Sequence, residues 1–198
     1  MKRTRTVDRR RSTAKRKTRG AVHIAAGRWK RRRLEVPPGA RPTGGRAREA
    51  LFDILQKRVP GSRVLDLYAG SGAVGLEAVS RGAARAVLVE KHCAAIRRNL
   101  ERLGPGAEVE LLPLEAGQAL VLLAARGERF NIVFADPPYD PRATADPLRG
   151  VAPMLEEGGT FVLQADSGRE APPVPETLRL SGRRPYGRNV FWFFRREG

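Results

Sequence analysis

Residues 64–79 read Val-Leu-Asp-Leu-Tyr-Ala-Gly-Ser-Gly-Ala-Val-Gly-Leu-Glu-Ala-Val. An apolar run, Val64-Leu65, leads into Gly70, Gly72 and Gly75 in the spacing G-x-G-x-x-G, and Leu76-Glu77-Ala78-Val79 continues as a helix would. A strand that turns on glycines into a helix opens a βαβ unit, and such turns let the backbone approach a nucleotide-like ligand closely.

Downstream the same rhythm recurs. Short apolar runs at Val64–Leu67, Ala86–Val89, Val109–Leu112, Ile132–Phe134 and Thr160–Gln164 alternate with helical stretches at Val74–Arg81, Cys93–Leu103 and Ala116–Arg126 and a proline-interrupted one at Arg142–Leu155. The alternation predicts an α/β fold, a mostly parallel, doubly wound sheet with helices on both faces. Leu178–Leu180 and Val190–Phe194 flank Gly182 to Gly187 with no helix between them, which predicts a C-terminal antiparallel hairpin.

Upstream, Arg46 to Lys57 carries apolar residues on one side and predicts a helix, with Thr43 as its N-cap and Pro60-Gly61 as its stop. Val22-His23-Ile24 and Leu34-Glu35-Val36 flank the basic stretch from Gly27 to Arg33, as a small basic hairpin would. The expected organisation is a basic disordered tail (1–20), a small hairpin and helix element (21–60) and a cofactor-binding domain (61–198).

Charge follows the same division. The 198-residue chain has a net charge of +17, and residues 1–33 hold 15 Lys/Arg against Asp8 alone. The body is nearly balanced behind a basic extension, which suits nucleic acid first and an anionic membrane surface second. The first twenty residues have no apolar core, so no secretory signal is expected. No apolar stretch reaches membrane-spanning length. Cys93 is the only cysteine; one thiol makes neither an internal disulfide nor a multi-cysteine zinc site, so no metal and a reducing cytoplasm are the expectation.

In an open α/β sheet the ligand sits beyond the carboxyl ends of the strands. Asp66 ends the first strand beside the glycine turn and Glu90 ends the second. An acid at strand two accepts hydrogen bonds from ribose hydroxyls, which fits any nucleoside cofactor. An acid beside the turn repels a pyrophosphate but suits the ammonium and sulfonium of S-adenosylmethionine.

Asp136-Pro137-Pro138-Tyr139 follows the fourth strand at that same edge. The amine of a nucleobase is a poor nucleophile because its lone pair is delocalised into the ring. The Asp136 carboxylate and the Pro137 carbonyl can each accept one of its N–H bonds and aim that lone pair. The carboxylate also stabilises positive charge growing on nitrogen. The prolines stiffen the loop without adding N–H donors, and Tyr139 offers a flat face for the base.

With these residues the chain resembles the class I S-adenosylmethionine-dependent methyltransferases with a D/N-P-P-Y/F motif. More narrowly it resembles the RsmD family, which methylates N2 of one guanine in bacterial 16S ribosomal RNA. The resemblance spans roughly residues 22–196. It rests on Arg41-Pro42-Thr43 with Arg48-Glu49-Ala50-Leu51-Phe52, on Leu65 to Ala83, on Glu90, Asn99-Leu100 and Asp136 to Tyr139, and on Tyr186-Gly187 with Trp192-Phe193. It implies a Rossmann-like methyltransferase fold. Asp66, Ala69, Gly70, Ser71, Gly72 and Glu90 would bind S-adenosylmethionine, with Glu115 and Ala116 by the adenine. Asp136, Pro137, Pro138 and Tyr139 would hold the guanine. Arg41 and Arg48 would lie near the active site on RNA. The basic hairpin residues Arg28, Lys30, Arg31, Arg32 and Arg33 are further RNA candidates. The partner would be 16S rRNA, in a small-subunit particle or assembly intermediate, and the protein a cytoplasmic monomer. The chain departs from the family at Gly44-Gly45, where a polar pair ending in aspartate is usual, and in its long basic tail.

Other readings stay open at this point. A DNA adenine-N6 methyltransferase uses a similar tetrad but needs a further domain to read sequence, and another RNA amino-methyltransferase is a closer rival. A non-catalytic RNA-binding assembly factor is opposed by the intact Asp136 and Glu90. An NAD oxidoreductase is opposed by Asp66 and the tetrad.

Overall fold

A computed structural model describes residues 21–39, 43–138, 150–168, 170 and 175–197. The basic tail, Arg41, Tyr139 and much of the stretch expected at Arg142–Leu155 fall outside these residues.

Seven strands form the central sheet: β3 (Arg63–Leu67), β4 (Arg85–Val89), β5 (Val109–Leu112), β6 (Phe130–Ala135), β7 (Leu155–Asp166), β8 (Leu178–Tyr186) and β9 (Asn189–Arg196). Their order is β5-β4-β3-β6-β7-β9-β8. The first five in space are parallel, whereas β9 runs antiparallel between β7 and β8. From β3 the chain steps outward through β4 to β5, then returns to β6 on the other side of β3. That reversal is a topological switch point, which leaves a crevice at the carboxyl ends of β3 and β6.

Apolar residues fill both faces of the sheet. On one face α2 (Ala73–Ser80) and α3 (Ala94–Leu103) pack with α1 (Gly45–Leu55) and with a two-stranded hairpin of β1 (Val22–His23) and β2 (Arg33–Leu34). Ile24, Trp29, Leu51 and Phe52 share one apolar cluster with Leu76, Val79, Val64 and Phe134. On the other face Leu120 and Leu123 of α4 (Ala116–Ala125) meet Leu67, Val133 and Phe161. All eight residues of α2 are buried, because the hairpin and α1 cover the side turned away from the sheet. Glu77, in the middle of α2, has no exposed surface and gathers its cover: it accepts the Ala25 and Ala26 amides at 2.7 and 3.0 Å and pairs with Arg81 at 2.8 Å.

Several boundaries differ from expectation, each for a local reason. Thr43 does not cap α1. Gly44 holds that place without a side-chain bond, and the Thr43 hydroxyl turns inward to Gln164. β8 runs through Gly182 and Pro185, which the sequence suggests as a loop. It is an edge strand, where proline forfeits no ladder bond, and a register shift between Leu180 and Gly182 absorbs the irregularity. Of the proline-interrupted stretch, the described part is a single 3-10 turn, Ala152–Met154, and β7 starts directly after it at Leu155.

Candidate active site

The glycine turn closes on itself. Ala69 N donates to Val89 O at 2.9 Å, Gly72 N to Ala69 O at 2.7 Å, and Asn99 Nδ2 to Ser71 O at 3.0 Å. Gly70 and Gly72 have φ of 58° and 76°, the left-handed region glycine enters freely. Tyr68 lies there too, at φ 61°, a strained conformation for an aromatic residue that persists where its surroundings enforce it. Its buried hydroxyl has no hydrogen-bond partner among the described residues. Burial, with the Glu115 charge adding, pushes that hydroxyl up to about 12. Sequence reasoning passed over this residue, because no local pattern distinguishes a strained tyrosine from an ordinary one.

The two acids divide their work differently from expectation. Asp66 is 1% exposed, and its Oδ2 accepts the Gly75 amide at 2.8 Å. It lies under the turn and holds α2 to β3, so it presents no carboxylate to a ligand's surface. Burial pushes it up to about 7, the Gly75 bond opposes, and the charges of Asp136 and Glu90 add. Glu90 is the acid at the turn itself. Its Oε2 accepts Gly70 N at 3.0 Å and its Oε1 accepts His92 N at 2.9 Å. A pyrophosphate needs free turn amides, and here the Gly70 and Gly72 amides are already bonded, one of them to a carboxylate. The turn therefore disfavours a dinucleotide. A carboxylate fixed at the strand end still has lone pairs for ribose hydroxyls, and the Tyr68 hydroxyl offers a further polar contact. These residues fit a nucleoside cofactor without phosphates.

Across the switch point stands Asp136. Leu67 pairs with Val89 on one side and with Ala135 on the other, so Glu90 and Asp136 emerge next on either side of the turn. Ala135 pairs with Leu163, which brings Gln164 beside Asp136. Gln164 Nε2 donates to Asp136 Oδ2 at 2.8 Å, and Thr43 Oγ1 donates to Gln164 Oε1 at 3.1 Å. Gln164 and Thr43 are both buried. Neither stood out in the sequence as a site residue; only the β6–β7 register and the entry to α1 bring them to the carboxylate. Burial pushes Asp136 up to about 7; hydrogen bonding by Thr43 opposes this, and the Asp166 charge adds to it. Pro137 is buried and Pro138 exposed, and Tyr139 lies outside the described residues.

Glu115 and Ala116 begin α4. Glu115 is its N-cap, and its Oε1 accepts from Lys91 Nζ at 2.8 Å near the loop after β4. On the hairpin, Lys30, Arg31, Arg32 and Arg33 are exposed. Arg28 lies over the Trp29 ring at 4.1 Å and pairs with Glu108. Arg48 corrects an expectation. It is 2% exposed, stands 3.5 Å from Glu77 through Nε and donates from Nη2 to His23 O. Its guanidinium is a strut between α1, α2 and the hairpin, with no face for RNA. Arg41 lies outside the described residues. Among the described residues no cluster of His, Cys, Asp and Glu gathers as a metal site would, and no helix is long and apolar enough to cross a membrane.

The model of the family described as Conserved hypothetical protein 95 matches residues 22–195. Ribosomal RNA small subunit methyltransferase D of Escherichia coli (strain K12) is 33% identical over 193 residues, covering 90% of this chain and 91% of that protein. The structure of a hypothetical protein of Thermus thermophilus is 41% identical, covering 87% of this chain and 98% of that one, with a TM-score of 0.75. The structure of SMU.776 complexed with SAH is 12% identical over 74% of this chain and 48% of that one, with a TM-score of 0.59. That last likeness is one of fold alone.

Proposed function

The chain belongs to the Conserved hypothetical protein 95 family, and on that premise we propose that it transfers a methyl group from S-adenosylmethionine to the exocyclic N2 amine of one guanine in 16S ribosomal RNA. The observation that carries this reading is the rim of the sheet. A glycine turn already occupied by the Glu90 carboxylate and the catalytic candidate Asp136 stand one strand apart across the switch point. The similarity to an rRNA methyltransferase over nine-tenths of both chains supports the choice of substrate.

S-adenosylmethionine, when bound, supplies a methyl group on a sulfonium. Ala69, Gly70, Ser71 and Gly72 form its floor, and Asp66 fixes that floor from beneath. Glu90, held by the Gly70 and His92 amides, accepts from the ribose hydroxyls, and Glu115 and Ala116 border the adenine. Asp136 and the Pro137 carbonyl accept the two N–H bonds of the guanine amine and direct its lone pair. The Asp136 charge then stabilises the positive charge that develops on nitrogen. Pro138 stiffens the loop and Tyr139 stacks on the base. Much of the acceleration comes from holding amine and methyl in line. Lys30, Arg31, Arg32, Arg33 and Arg41 meet RNA phosphates, which fix position rather than sequence. The substrate is rRNA in a small-subunit particle, and the enzyme acts as a cytoplasmic monomer.

Small-subunit particles lacking this modification, incubated with the chain and labelled S-adenosylmethionine, should gain label at one guanine N2 when the modified base is mapped. Asp136→Ala should abolish that transfer while calorimetry still detects cofactor binding. An active Asp136→Ala enzyme would remove the mechanism.

A further inference from the structure

Three arginines converge on one groove beside α1, Arg58 and Arg195 at the end away from the rim and Arg184 level with Gln164. Arg58 just beyond α1, Arg184 on the edge strand β8 and Arg195 on β9 line it with Ile54 and Phe193, and no carboxylate is among the lining residues. Several arginines elsewhere on the body are matched by acids, Arg63 and Arg85 by Glu128, Arg126 by Glu110 and Arg98 by Glu35, while others such as Arg102 and Arg129 reach a carbonyl singly. In the groove, among the described residues, the guanidiniums reach only neutral oxygens. Arg58 and Arg195 both approach Gly158 O, at 3.4 and 3.2 Å, and Arg184 donates to Arg183 O at 2.9 Å. Burial first, then the Arg195 charge, holds Arg58 below its ordinary value. Like charges gathered without a counter-charge raise the energy of the free protein, and a polyanion relieves it.

The groove is connected to the rim by α1. Thr43, just before α1, bonds Gln164, and Arg58, just after it, bonds Thr160 at 3.3 Å. In β9, Asn189 pairs with Asp166 at the rim and Arg195 with Thr160 six residues lower, about 20 Å along the strand. Ile54 is 42% exposed and gives the groove an apolar wall suited to a sugar face.

We propose that this groove binds backbone phosphates of the substrate RNA, on the segment leading away from the methylated nucleotide along α1. The proposal rests on the rRNA reading above and adds a second anchoring point, separate from the basic hairpin.

The test uses the full chain, a 16S rRNA fragment containing the target, and the triple variant Arg58→Gln, Arg184→Gln, Arg195→Gln. RNA affinity is measured across a salt series, and methyl transfer with labelled S-adenosylmethionine. The triple variant should bind more weakly, with its log affinity–log salt slope shallower by roughly three, about one per lost phosphate contact. KM for RNA should rise while kcat at saturating RNA and cofactor binding stay unchanged. Because Arg58 and Arg195 also brace Gly158, Arg184→Gln alone decides if the triple variant misfolds; its slope should be shallower by about one. An unchanged slope beside an active wild-type chain overturns the groove. A wild-type chain that transfers no methyl to rRNA overturns the proposed function instead, and the slope still reports on the groove.

Discussion

Gln164 reads in the sequence as one more residue of a buried strand, yet its amide spans from the Thr43 hydroxyl to the Asp136 carboxylate. The hydroxyl donates to one end of the amide, which turns the NH2 end toward the acid. Oδ2 of the carboxylate is thereby engaged, which fixes the orientation in which the proposed mechanism has Asp136 meet the substrate amine. Gln164→Ala should lower kcat roughly ten- to a hundredfold, the scale of a small misplacement of a reacting group, with cofactor affinity unchanged. Gln164→Glu should be worse, since a second carboxylate would face Asp136. Steady-state kinetics with both substrates varied would separate this from a packing defect, which would not spare cofactor binding. The same carboxyl sets the pH response. In the proposed mechanism only ionised Asp136 accepts the amine's N–H, and burial has pushed it up to about 7. The rate should therefore rise as pH rises through about 7 and then level. Asp166→Asn, which removes a negative charge that raises Asp136, should move the rise to lower pH in a pH–rate profile.

At the scale of elements, the hairpin shows how closely the N-terminal segment is fitted to the sheet. Gly27 sits at φ 79° against the last turn of α2, where a β-carbon would stand 1.6 Å from Ser80 O. Around it Arg28 N donates to Ser80 O, Trp29 N to Ser80 Oγ, and Ser80 Oγ to Ala26 O. Gly27→Ala should destabilise the protein by at least about 2 kcal/mol, combining left-handed strain with a backbone collision. Denaturant unfolding measures it; an unaltered midpoint would mean the hairpin is not docked in this way. The sequence revealed the hairpin and the alternation of strands and helices, because the apolar runs have the length and spacing of buried strands. It did not reveal what Thr43 or β8 would do. Thr43 has the chemistry of a cap, but a buried amide partner 121 residues away claimed its hydroxyl. Pro185 and Gly182 look like loop residues until their strand is known to lie at the sheet's edge.

For the molecule as a whole, two carboxyl groups are held near 7 in the fold, against 3.8 for the ordinary group. Between those values the folded chain keeps protons that the unfolded chain has released. Their contribution to stability is therefore fullest below about 4 and is lost as pH rises through about 7. Asp66→Asn keeps an oxygen for the Gly75 amide but removes one titrating group. Its stability–pH curve should be flatter than that of the unmodified chain, and equal slopes would contradict the burial of Asp66. The placement of the candidate site was legible in advance: the glycine turn, Glu90 and Asp136 follow strand ends, and strand ends can be read from apolar runs. Depth could not be read. Asp66 and Arg48 carry the residue types of ligands but are buried against Gly75 and Glu77, which only the packed structure reveals.

Asn99 joins two regions that the chain keeps well apart. One amide grips Glu35, just beyond β2, through both its amide and its carbonyl, and holds Ser71 of the glycine turn as well. Asn99 thus ties the basic hairpin to the glycine turn. If RNA on the hairpin or a methyl donor on the turn shifts Asn99, occupancy of either must alter affinity for the other by the same factor.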